Sequence, residues 1–196
     1  MSEQNDENLE PRRIVWIRDE DTDESLDMEV FLELEQDGRT YALITPPVPT
    51  VNLFQVDDAE AAEEGEALNE ADLDTFKALR PQIDEFLKPW GVTVSVKGSE
   101  IRLSDELPEQ VYADSPLLEI EADEEPETFL QLGELDSGDT LYWLLMPSPP
   151  PLYAVALQGD QATYLSDEEL ERLQPLFDEA MAEIDEEIED GGAEKN

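Results

Sequence analysis

Short runs in which apolar and polar residues alternate fill the front of the chain, and twice the period lengthens to that of a helix. Val30 to Leu34 alternate, with Phe31 facing away from Leu32. A turn at Asp37-Gly38 and the apolar run Tyr41 to Thr45 follow, the pattern of a β-hairpin. Pro46-Pro47-Val48-Pro49 cannot continue a central strand, because proline donates no hydrogen bond to the ladder, so the chain must leave the sheet or lie at its edge. Leu53 and Val56 predict one more strand. Leu73, Phe76, Leu79, Ile83, Phe86 and Leu87 then recur at helical spacing behind a cap at Asn69 or Asp72. Ile14 to Ile17 reads as a strand opening this unit. Val92, Val94 and Val96, the turn Lys97-Gly98-Ser99, and Ile101 with Leu103 read as a second hairpin at its end.

The same order comes round again. Phe31-Leu32-Glu33-Leu34 has a counterpart in Phe129-Leu130-Gln131-Leu132, and the second turn is Ser137-Gly138. Tyr41 precedes Pro46 by the interval that separates Tyr142 from Pro147. Tyr153, Val155 and Leu157 alternate as a third strand, and Leu117 to Ile120 opens the copy as Ile14 to Ile17 opens the first. Phe76, Leu79, Pro81 and Ile83 return as Leu170, Leu173, Pro175 and Phe177. Two copies of one strand-strand-helix unit account for this. Ser166 and Glu169 form a capping box ahead of a stripe made by Leu170, Leu173, Phe177, Met181 and Ile184. Pro81 and Pro175 predict a kink or a split in each helix.

The expected fold class is therefore α+β: two related units of β-hairpin, strand and helix, with antiparallel sheets and helices packed on one face. The expected division is a disordered acidic tail over 1–11, a first unit with an extra hairpin over 12–112, a second unit over 113–188 and a disordered tail over 189–196. Residues 57–70 and 186–196 are too polar to offset their ordering entropy and are expected to be mobile.

Charge changes the picture more than any motif. Fifty-three acidic residues face eleven basic ones, for a formal charge of -42, with no histidine and no cysteine. The second half is the stronger anion: after residue 103 the only bases are Arg172 and Lys195. Such a surface repels nucleic-acid phosphate and anionic membranes and draws cationic partners within a screening length of roughly 8 Å. Without cysteine there is no disulfide or thiolate site, so packing must hold the chain together. The first ten residues lack the pattern of a secretory signal, and no apolar run approaches the ~20 residues of a spanning helix. A cytoplasmic location is expected, with no membrane insertion.

Candidate chemistry is sparse. Asp19, Asp21 and Asp23 match the first alternating oxygens of a calcium loop, but Glu24 stands where that loop needs glycine and Val30 where it needs glutamate, so a solvated turn is expected and no metal site. Serines have no histidine base, no phosphate-binding glycine loop is present, and among so many acids no carboxylate pair stands out. No catalytic residue and no cofactor is assigned. The matched proline turns are the partner-binding candidates: Pro46, Pro47 and Pro49 in the first copy, and Pro147, Pro149 and Pro150 beside Tyr142 and Trp143 in the second. A rigid extended ledge next to aromatics binds with little ordering cost, although the same segments also serve to cap a sheet edge.

The hairpin with its glycine turn, the Tyr-x-Leu-x-x-Pro sequence at Tyr41 and Tyr142, and the acidic Leu-x-x-Leu helix resemble the small acidic YrzB-like domain of unknown function. The doubled form, with Leu165-Ser166-Asp167-Glu168-Glu169-Leu170 in its second copy, is similar to an uncharacterised family of cyanobacteria and plant plastids. The resemblance spans residues 12 to 188. It implies a photosynthetic host and a cytosolic or stromal site, and brings no catalytic residues. The expected function is a non-enzymatic acidic interaction module, an adaptor, assembly factor or regulator that binds a basic protein partner. The alternative is a nucleic-acid mimic that occupies a DNA- or RNA-binding protein, and a carboxylate- or metal-dependent enzyme ranks third.

Overall fold

The computed structural model describes residues 12–62, 65–120 and 126–192. The first hairpin pairs β2 (Ser25–Gln36) with β3 (Arg39–Thr45), and the second pairs β9 (Glu127–Ser137) with β10 (Thr140–Pro147). Their ladders superpose residue for residue. Gln36↔Arg39 and Leu34↔Tyr41 in the first become Ser137↔Thr140 and Leu135↔Tyr142 in the second. Both ladders break register at one matched place, between Val30 and Leu32 and at Leu144/Leu145. Phe31 therefore corresponds to Leu132, and matching it to Phe129 is three residues out. The two-residue turns set the register, and a short apolar quartet that fits at two offsets does not.

Each hairpin takes its third strand from the other repeat. β3 pairs with β11 (Tyr153–Gln158), Leu43 opposite Ala154, whereas β10 pairs with β4 (Asn52–Val56), Leu144 opposite Leu53. The next elements along the chain stay with that third strand. β12 (Gln161–Tyr164) and α4 (Asp167–Gly192) join the first hairpin; β5 (Leu68–Glu70) and α2 (Leu73–Leu87) join the second. The compact units are accordingly interleaved. The first holds residues 1–18, 27–45 and 152–196, and the second holds 19–26 and 46–151. The sequence repeats, 12–112 and 113–188, are thus not the compact units. Local pattern identifies a strand but not its partner, which depends on distant side chains.

With β1 (Ile14–Arg18), the first unit closes as a barrel in the order β1-β12-β11-β3-β2, through a parallel contact at Trp16↔Gln161. The second unit has the matching order β5-β4-β10-β9-β8, where β8 is Leu117–Ile120, but stays an open sheet. Side-chain volume explains the difference. Ala42 and Ala162, both buried, occupy first-unit positions that Trp143 and Leu68 take in the second, and Met28 and Val155 give way to Phe129 and Phe54. A five-stranded barrel has room for small side chains only. The larger set instead packs with Leu118 and Leu145 and with Ala62 from the short helix α1 (Ala59–Ala62), which lies in the stretch expected to be mobile. Phe54 and Phe129 meet edge to face, 5.6 Å between centroids.

On the other face of the open sheet, α2 buries Phe76, Leu79, Ile83 and Leu87 against Leu53, Leu132 and Leu144. At about 1.5–3 kcal/mol per buried side chain, this stripe holds the helix. Asp72 caps it, its carboxylate accepting from the Thr75 amide at 2.7 Å. A hairpin of β6 (Val94–Lys97) and β7 (Glu100–Leu103) and the short helix α3 (Glu109–Asp114) complete this unit. In the first unit, α4 sets Leu173 and Phe177 on Tyr41 and Leu43.

Mostly strand, with one closed barrel and one parallel contact, the molecule fits the α+β class only loosely. Two helix expectations change. Neither helix is split: α2 and α4 run through Pro81 and Pro175, which sit on exposed faces where the carbonyls they leave unpaired meet water. The C-terminal tail expected over 189–196 is helical as far as Gly192, since neither glycine nor proline occurs between Pro175 and Gly191, and residues 193–196 lie outside the described part, as does the tail expected over 1–11. Among the described residues, no helix is long and apolar enough to cross a membrane.

Candidate interaction surface

The structure places the proline candidates in unequal settings. Pro46 is buried, and Pro47 and Pro49 are half-buried. The Pro49 carbonyl accepts from the Leu103 amide, and the Val51 amide donates to the Ile101 carbonyl, both at 2.9 Å, so the end of this segment makes a single antiparallel bridge, Thr50 to Arg102, on β7. It closes a sheet edge. The second segment is freer: Pro149 and Pro150 are exposed after a cis Ser148–Pro149 bond, while Pro147 is half-buried as the last residue of β10. Trp143 is core, only 3 % exposed, and its indole Nε1 has no hydrogen-bond partner. Tyr142 packs half-buried on the opposite core. The aromatics beside the prolines thus hold the second unit together and form no ledge with them.

The expected solvated turn at Asp19 is a buried anchor. Asp19 is 5 % exposed, and its Oδ1 accepts from the Thr22 amide and hydroxyl at 2.7 Å and from the Asp21 amide at 3.1 Å. Its Oδ2 accepts from the Ser99 hydroxyl at 2.5 Å and from the Ser99 amide at 3.2 Å. Burial raises the pKa of this carboxyl, but the bonds from Ser99 and Thr22 outweigh it and hold the group at about 2. Gly98 (φ +57°) is required at this joint, since a Cβ there would stand 2.9 Å from the carboxylate. Every lone pair of Asp19 faces a donor from the chain, so the residue ties the 19–24 turn to the β6–β7 turn.

A more open apolar surface lies elsewhere, along α4 in the first unit. Here a groove of about 520 Å³ opens over Leu43 and Ala154, with Leu152, Tyr153, Tyr164 and Leu165 on one wall and Leu170, Gln174, Phe177 and Met181 on the other. Tyr153 and Tyr164 meet edge to face at 6.2 Å, which makes that wall rigid. Leu152 and Leu170 are 39 % and 40 % exposed at its rim. Leu170, expected inside the helix stripe, is instead a rim residue. Asp178 closes the groove, and Asp167, Glu168, Glu171 and Glu179 stand exposed along the same helix. The Ser166–Glu169 capping box starts this helix: Glu169 N donates to Ser166 Oγ at 3.4 Å, and Ser166 Oγ donates to Glu169 Oε2 at 3.1 Å. Leu152 and Tyr164 carried no expectation from the sequence, and Tyr153 was read only as a strand residue. Their one signal was Leu152 standing after a run of prolines, where a linker has no need of leucine.

A second groove of about 520 Å³ in the other unit runs past Trp90, Pro89, Pro108 and Pro116, but only Asp114 supplies charge there. Comparison of the chain with family models, with curated proteins and with solved structures finds no match.

Proposed function

We propose that the protein is a non-enzymatic interaction module that captures a basic protein partner, seating an apolar side chain of that partner in the α4 groove of the first unit and its cationic residues along the acidic face of α4. One observation carries the reading: an open apolar groove with two exposed leucines at its rim lies directly beside a helix face of carboxylates. The carboxylates steer a cationic segment and set its orientation, and the desolvated apolar contact sets how long it stays. An assembly factor that shields a basic subunit, in a cytoplasmic or stromal setting, fits this chemistry.

The test is affinity capture by the full chain at low and high salt, with two variants beside the wild type. Leu170→Asp spoils the groove, and Glu171→Lys with Asp178→Lys reverses the helix charge. Basic partners that leave as salt rises and are lost with both variants support the reading. Capture that is indifferent to salt and to charge reversal overturns it. Recovery of nucleic-acid-binding proteins, released by added DNA or RNA, would replace it with mimicry.

A further inference from the structure

The groove along α4 has a period that its occupant must match. Leu170, Gln174, Phe177 and Met181 line it from the helix, at successive intervals of four, three and four residues, which is one face of α4 repeated turn by turn. At a rise of about 1.5 Å per residue, this row runs for about 16 Å. A second row lies beside it. At about 100° per residue, Asp167, Glu171 and Asp178 stand within about a quarter turn of the groove face, whereas Glu168 and Glu179 fall on the far side of the helix. Among the described residues these three carboxylates have no ion-pair partner, while Glu169, on the opposite flank of the groove face, meets Arg39 at 3.5 Å. An apolar row and an unneutralised acidic row therefore run side by side along the same turns.

The form of the occupant follows from that spacing. The barrel is closed in strand order, so it offers no open strand edge for a partner strand to extend. An extended strand turns one side to a surface about every 7 Å and a polyproline segment about every 9 Å, so both drift out of step with carboxylates spaced about 6 and about 10 Å along α4. A second helix laid along α4 has the same rise and keeps its side chains opposite all three. We propose, building on the capture of a basic partner at α4, that the captured segment is a basic amphipathic helix. Its apolar residues, three and four apart, enter between α4 and the wall of Leu152, Tyr153 and Tyr164. Lysines or arginines on its flank, at the same spacing, face Asp167, Glu171 and Asp178.

The experiment measures the binding of labelled peptides to the full chain by fluorescence anisotropy. One peptide, about 18 residues of leucine, alanine and lysine, keeps leucines at helical period with lysines along one flank. A second has the same composition in an order without that period, and a third is proline-rich with the same number of lysines. Two variants change the charge equally in different places: Glu171→Lys/Asp178→Lys beside the groove, and Glu168→Lys/Glu179→Lys on the far side, each checked for its fold by circular dichroism. The periodic peptide is expected to bind more than roughly tenfold more tightly than the permuted one and to gain helicity on binding. It should lose roughly tenfold or more with the first variant and stay within about threefold with the second. Equal loss in both variants, tighter binding of the proline-rich peptide, or no binding of the periodic one overturns the proposal. A permuted peptide that binds as tightly, yet still weakens with salt and with Leu170→Asp, overturns the helical form and leaves capture of a basic partner standing. Binding of the periodic peptide that ignores salt and both charge reversals overturns the two together.

Discussion

Gly133 lies under the ring of Phe86, so close that a Cβ there would stand 2.1 Å from Cζ and 2.6 Å from Cε2. In the first unit the corresponding positions are occupied the other way round: Leu32 stands where Gly133 does on the hairpin, and Ala180 where Phe86 does on the helix. In the second unit a large helix residue meets a bare strand position, and in the first the sizes at the matched sequence positions are exchanged. If each repeat closed its own hairpin with its own helix, Phe86 would collide with Leu32, and Ala180 would face Gly133 across a void. These volumes favour the exchanged arrangement. Gly133→Leu alone overpacks the site, at about 1–3 kcal/mol, and Phe86→Ala alone removes a half-buried ring, at about 2 kcal/mol. The double variant Gly133→Leu/Phe86→Ala recreates the small-on-helix, large-on-strand pairing, so it is expected within about 1–2 kcal/mol of wild type, with a favourable coupling of at least ~1 kcal/mol. Urea unfolding followed by circular dichroism and by tryptophan fluorescence measures all four corners of the cycle, Trp90 being a local reporter 5.3 Å from the Phe86 ring. Losses that simply add would refute the reasoning.

Two further outcomes are expected. Asp19→Asn should destabilise the protein at neutral pH, by about 1–3 kcal/mol, because a charged acceptor of several hydrogen bonds is lost. The native carboxyl titrates below its ordinary value, at about 2, so its stabilisation is present above the ordinary carboxyl pKa of about 4 and is lost as pH falls towards 2. The gap between wild type and variant should close across that window, and a gap that stays constant in acid urea titrations would show that the charge is not what matters. Ser166→Ala should cost about 1 kcal/mol through loss of the cap on α4, read as a lowered urea midpoint. An unchanged midpoint would mean that packing on Tyr41 and Leu43 alone sets that helix.

Local chemistry was legible in the chain. Most strands, three hairpins and the Ser166 capping box follow from alternation, turn residues and helical spacing, each a property of a few neighbouring residues, and the α2 cap was narrowed to Asn69 or Asp72; β5, inside the stretch expected to be mobile, and β12 were not read. Partner choice was not legible, because whether Leu53 lies beside Leu43 or Leu144 rests on volumes a hundred residues apart. Closure was hidden for the same reason, since Ala42 and Trp143 are both apolar and differ only in size. A glycine inside the strand pattern at Gly133 was the available hint, because a bare position in a strand marks a close neighbour. The α4 groove went unread because exposure of Leu170 and Leu152 depends on what does not cover them, and the proline turns drew attention by composition alone.

Because the residues of the second unit fall, along the sequence, between segments of the first, synthesis runs to a timetable. Strands β1 to β3 leave the ribosome first, yet the barrel cannot close until residues beyond Leu152 follow, whereas the inner unit has all its parts once Pro151 has emerged. At translation rates of about 5–20 residues per second, the opening hairpin waits roughly 5–20 s with Tyr41 and Leu43 uncovered. A nascent chain that must hold a sticky sheet open for so long gains from mutual repulsion, and the abundance of carboxylates serves the unfinished molecule as well as the finished one.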